Sequence, residues 1–153
     1  MKKRLLPLLF CLALVLALAG CGSAINSSLP ANPIAFQVTT FANPNDPSDT
    51  YTRIVYNGKV FIPFGTLGSV VSARDTDGVL GYLVRDEEVP ADQSDRVIAL
   101  KDYPDFLMIY HVGGVMDQPE FYRCLDTRGM TTQLPPYVRD LGYAVWAPDP
   151  VSP

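Results

Sequence analysis

Histidine is the scarcest chemically versatile side chain in this sequence, present only as His111. A histidine metal site therefore has no second imidazole, and any histidine acid–base role must rest on one residue. Cysteine is nearly as sparse: Cys11, Cys21 and Cys124 are scattered, and no Cys/His cluster has zinc-ligand spacing. Beyond residues 1–4 no basic block is present, and 16 acidic residues outnumber 12 Lys and Arg. That balance argues against nucleic acid and against an electrostatic grip on anionic lipid. A Gly-x-Ser-x-Gly elbow, a phosphate-binding glycine loop and internal repeats are also missing. No catalytic constellation, metal ligand set or cofactor is expected.

Long apolar runs are confined to one place. Met1-Lys2-Lys3-Arg4 is a basic start, and Leu5 to Leu18 is apolar apart from Pro7. The run is shorter than the roughly 20 residues that a permanent helical span requires, so it reads as the hydrophobic part of an export signal. It ends in Leu18-Ala19-Gly20-Cys21. This tetrapeptide resembles the lipobox of bacterial lipoproteins, a resemblance that covers the first 21 residues. It implies a signal peptide over residues 1–20, cleavage between Gly20 and Cys21, and a diacylglyceryl group with palmitate-type chains on the Cys21 thiol. Two acyl chains anchor stably where one binds reversibly. The implied location is a bacterial membrane, on its extracytoplasmic face, with the bilayer itself as a partner.

Cleavage would remove three of the twelve basic groups, leaving nine against sixteen acidic ones, a formal charge of −7. Cys11 would depart and Cys21 would be acylated, so Cys124 would remain without a disulfide partner.

Residues 21–33 form the lipidated end and a polar, proline-punctuated tether, GSAINSSLPANP after Cys21. Twelve such residues reach about 20 Å as coil or about 37 Å as polyproline II. A single β-rich domain is expected over 34–147, and a proline-rich tail over 148–153 frays. The remaining chain is similar to small envelope lipoproteins of unassigned function.

Within the domain, Ile34 to Phe41 alternates as a half-buried strand, followed by a loop over Ala42 to Thr50. Tyr51–Tyr56, Asn57-Gly58 and Lys59–Phe64 read as a hairpin with a type I′ turn. This register pairs Ile54 with Phe61 and Val55 with Val60. Pro63 removes a ladder donor, so the strand is expected to end there or lie at an edge. Asn57 to Pro63 is also similar to the repeat of copper amine oxidase N-terminal-like domains, although that pattern's following arginine is absent here. Gly65 to Gly78 reads as irregular. Val79–Arg85, Arg96–Leu100 and Phe106–Val112 are further strands, the last apolar on both faces and so central. Residues 117–126 fit either a short helix starting at Pro119 or a strand. Pro136–Leu141 reads as a terminal helix stopped by Gly142, and Tyr143–Trp146 as a closing strand. The sum is a mainly β fold, β-rich α+β: a small twisted sheet or barrel with one or two short helices.

The candidate sites are few. Asp75-Thr76-Asp77-Gly78 opens like a calcium loop, but Leu80 stands where glycine is required and Asp86 where glutamate is, so a turn is expected. Asp86-Glu87-Glu88 with Asp92 and Asp95 makes an acidic loop, which reads as solvated or as a weak divalent-ion site. Trp146, Tyr137 and Tyr143 fit an aromatic platform or a packed core. Two functions follow: a non-enzymatic binding or accessory module of the envelope, with an envelope protein or glycan as ligand, or a small hydrolase built on Cys124 and His111.

Overall fold

The computed structural model describes residues 24–85, 89–113 and 118–147. Gly20 and Cys21, the acidic Asp86-Glu87-Glu88 and the 148–153 tail lie outside the described residues. Among the described residues nine strands follow in order: β1 (Ile34–Gln37), β2 (Thr39–Asn43), β3 (Asp46–Tyr56), β4 (Lys59–Leu67), β5 (Thr76–Val84), β6 (Arg96–Leu100), β7 (Phe106–Tyr110), β8 (Glu120–Cys124) and β9 (Val138–Asp140). They form one sheet ordered β1-β5-β6-β7-β8-β4-β3-β2, with β9 added beside β4. The sheet is strongly curled into an open half-barrel. The mainly β expectation is met.

Alternation along the strands makes two cores. Inside the curl, Phe36, Ile54, Phe61, Leu83, Val97, Leu107, Ile109, Tyr122 and Cys124 pack together, drawn from seven strands. On the convex face, Phe64, Ile98, Leu100, Phe106, Met108, Phe121 and Tyr137 form the second cluster. Neighbouring residues of β7 and β8 take opposite sides: Leu107 opposes Tyr122 within, and Met108 opposes Phe121 without. β7 is therefore apolar on both faces, as central strands are, and β8 buries side chains on both faces, Arg123 among them. The ambiguity between helix and strand resolves as strand over Glu120–Cys124, followed by a 3-10 turn over Leu125–Thr127.

Several local expectations are corrected. Ile34–Phe41 is not one strand on one partner. Ile34–Gln37 pairs with β5 in parallel, and from Thr39 the chain pairs with β3 antiparallel, with Val38 between. Consecutive residues thus reach both edges of the sheet, while Phe36 meets Tyr56 across the seam at 6.0 Å between rings. Ala42–Thr50 is largely strand, not loop.

The Asn57-Gly58 hairpin forms in the expected register, with φ of 50° and 75° at the turn. Its second strand does not stop at Pro63, however, and lies in the sheet interior. The register with β8 slips between Pro63 and Gly65, and on the other side β3 gives way to β9. That change of partner falls where the imide nitrogen has no hydrogen to donate. The Pro63 carbonyl accepts from Trp146 Nε1 at 2.8 Å.

Pro136–Leu141 is not a helix. It turns at Pro135, where Val138 N donates back to Pro135 O, and then pairs with β4 as β9. A Cβ on Gly65 would collide with the Arg139 carbonyl, so the bare glycine admits this strand. Tyr143–Trp146 is not a strand. Ala144–Trp146 makes one 3-10 turn that buries Val145 and rests the indole on Phe64, 5.7 Å between ring centres.

Candidate functional site

The convex core is roofed by irregular chain, held by two buried arginines. Arg123 on β8 donates Nε to Thr127 Oγ1 at 2.7 Å and Nη2 to Thr127 O, Met130 O and Thr132 Oγ1. Its guanidinium lies 4.9 Å from the Trp146 ring centre and 5.3 Å from that of Phe64. Burial lowers its pKa from the ordinary arginine value, but the guanidinium stays charged.

Arg96 on β6 does the same for the other terminus. It donates to Ala91 O, Asp92 O and Ser94 O of the 90–95 loop, and its Nε reaches Ser27 O at 2.9 Å. Ile25 packs against the convex cluster. The described part of the expected tether is therefore fastened to the domain by residues 25–27.

With that face roofed, the open end of the curl supplies the concave site. A cleft of about 360 Å³ lies at the lip beside the β3–β4 turn. Tyr56, Asn57 and Lys59 come from the hairpin, Asp77 from β5, and Asp102 and Pro104 from the β6–β7 turn. The Asn-Gly turn chemistry sets the first group. The second depends on Asp102 at φ 65°, a left-handed conformation that aspartate tolerates better than most residues. Phe61, Ala99 and Leu107 form part of the apolar lining. The ammonium of Lys59 sits 3.3 Å from Asp105 Oδ1, and that carboxylate raises its pKa. This pair is exposed enough to contribute little to stability. The cleft's size is at the lower end of small-molecule sites, and its apolar lining with a few charged groups at the rim is their usual chemistry.

The residues singled out in the sequence fall elsewhere. Cys124 is fully buried inside the curl, where desolvation raises its thiol pKa. Its amide donates to Asp105 O at 2.8 Å, which places it beside the start of β7. His111 follows the other end of β7, six residues from Asp105, or about 20 Å at the usual rise per strand residue. No Cys124–His111 dyad forms. His111 Nδ1 instead lies 3.1 Å from Asp95 Oδ2, which is also 3.4 Å from Arg85 Nη2.

Asp75 closes a capping box, accepting from the backbone and hydroxyl of Ser72 at 2.8 Å each. The turn expected over Asp75–Gly78 does not form: Asp75 ends a 3-10 turn over Ala73–Asp75, and Thr76, Asp77 and Gly78 already belong to β5, drawn into its ladder with β6. Among the described residues, no group of three or more His, Cys, Asp or Glu could hold a metal ion. The aromatic platform is dispersed: Tyr137 is buried under Phe121, Tyr143 meets Tyr51 edge-on, and Trp146 is stacked on Arg123. Sequence reasoning missed Tyr56, Lys59, Asp77 and Asp102 as a group. The Asn-Gly turn was the signal that Tyr56 and Lys59 would be presented at a tip. Comparison with protein-family models, curated proteins and solved structures gives no match for this chain.

Proposed function

We propose that this chain is a lipid-anchored, extracytoplasmic lipoprotein of the bacterial envelope that acts as a non-enzymatic binding module. The Leu18-Ala19-Gly20-Cys21 resemblance supports the location. The observation that carries the activity is the cleft of about 360 Å³ at the lip of the half-barrel, apolar inside and charged at its rim. Its lining suits a ligand with an apolar body and a polar or charged end, such as a peptide side chain or the C–H face of a sugar ring. A hydrolase built on Cys124 would need that thiol exposed, and it is sealed in the wall with a raised pKa.

Two experiments test this reading. Metabolic labelling with a fatty acid should mark the wild-type chain and not Cys21→Ala; label persisting in the variant defeats the anchor. A photo-crosslinking amino acid at Tyr56 should capture a discrete partner in cells, while one at exposed Thr40 should not. Equal or absent capture at the two positions defeats the cleft as the binding site.

A further inference from the structure

We propose that the loop over residues 68–72, with Val70 at its tip, rests in the headgroup layer of the membrane to which the chain is anchored. This rests on the lipoprotein reading and adds the face of the domain that meets the bilayer. The first support is chain length. Ile25 is packed on the convex cluster, and Ser27 is held by Arg96. Only four residue steps separate Ile25 from Cys21, which span at most about 14 Å. An acylated Cys21 therefore holds the surface beside Ile25 close against the lipid. A free tether of twelve residues would leave the domain to tumble; this clamped one does not.

The second support is what lies beside that exit. Asn26, Ser28 and Leu29 border a cleft of about 440 Å³ with Ala73 and Thr76 across it. The Gly68-Ser69-Val70-Val71-Ser72 loop, uncharged throughout, leads directly into Ala73. Val71 is tucked against the convex cluster that also receives Ile25, while Val70 is 85 % exposed, the most exposed large apolar side chain described. The loop is braced from below: the amides of Gly68 and Ser69 both donate to Tyr137 O. Exposed Arg74 and Arg139 flank it, and Gly68 lies against the Arg139 backbone. The acids next to them are engaged locally, Asp75 with Ser72 and Asp140 with the Gly142 amide. An uncharged apolar tip flanked by two arginines suits the boundary between acyl chains and headgroups, where apolar side chains enter and arginine stems reach back to water.

The test uses the full lipidated chain in vesicles of phosphatidylethanolamine and phosphatidylglycerol. Val70→Cys carries an environment-sensitive fluorophore, and Val55→Cys is the control. Val55 is also an exposed valine but lies on β3 near the open seam, across the curl from β6. Acylated Cys21 and buried Cys124 leave the introduced thiol as the labelling site. With vesicles, the probe at 70 should shift to the blue and be quenched by lipids spin-labelled near the headgroup, while the probe at 55 stays aqueous. A protein that floats with the vesicles but keeps both probes aqueous overturns the inference and spares the anchor. A protein that carries no acyl mass on Cys21 overturns both.

Discussion

The two terminal covers of the convex face are built from the same parts but differ in grip. Each uses a buried arginine and an unsubstituted glycine. On the carboxyl side, Arg123 gathers the 127–132 loop and stacks on Trp146, and Gly65 admits β9. On the amino side, Arg96 gathers the 90–95 loop and Ser27, and Gly81 admits β1, where a Cβ would meet the Ile34 backbone. The acceptors of Arg123 include buried Thr127 groups and two aromatic rings. Those of Arg96 lie mostly on loops that water reaches in part. A charged donor is worth most where its loss strands acceptors away from water. The carboxyl cover is therefore integral to the core, and the amino cover is a fastening on top of it.

Substitutions sharpen that difference. Arg123→Met should cost the most, about 3 kcal/mol in urea unfolding, because it leaves buried acceptors unpaired and removes the stack under Trp146. Gly65→Ala and Gly81→Ala should each cost about 2 kcal/mol by pushing a paired backbone aside, with the midpoint lowered and the slope unchanged. A neutral result at either glycine would mean that its strand is not held where it lies. Arg96→Ala should cost about 1–2 kcal/mol globally, yet open residues 24–33 to limited proteolysis while the rest stays protected. If Arg96→Ala proves as costly as Arg123→Met, the two covers are equivalent and the contrast fails.

The smallest effect concerns pH. Burial raises the Tyr137 phenol from its ordinary 10.0 to about 12. Its stabilising contribution is complete below pH 10 and is lost as pH rises toward 12, because the unfolded chain ionises first. Tyr137→Phe should flatten part of the alkaline decline in stability. It should not abolish it, since Tyr51, Tyr122 and Tyr143 are raised by burial as well. Cys124 follows the same sign, and its thiol should stay silent to a thiol reagent until the protein unfolds.

What could be read in advance was whatever a few neighbouring residues decide. Asn57-Gly58 demanded a type I′ turn wherever it lay, and the register followed. Arg96–Leu100 and Phe106–Tyr110 carried their burial in their composition. Pro136–Leu141 misled because the local signals are helical while the deciding partner is Gly65, some seventy residues earlier. Pro63 misled because the rule against a proline in an interior strand assumes a fixed neighbour, and here the neighbour changes beside it. The cleft was the least legible part. Tyr56, Lys59, Asp77 and Asp102 meet only because the curl brings separate turns to one lip, and no local pattern encodes that meeting.

The parallel pairing of β1 with β5 also decides how the domain answers tension. A pull on the amino terminus first meets the Ser27–Arg96 contact and then acts along the axis of β1. Its ladder to β5, from Ile34–Gly81 to Gln37–Val84, is strained lengthwise, so its bonds share the force instead of parting one at a time. Past Val38 the same stretch of chain is stitched to β3, at the opposite margin of the sheet. Tugging on the chain thus loads the segment that, among the described residues, ties both margins of the curl together.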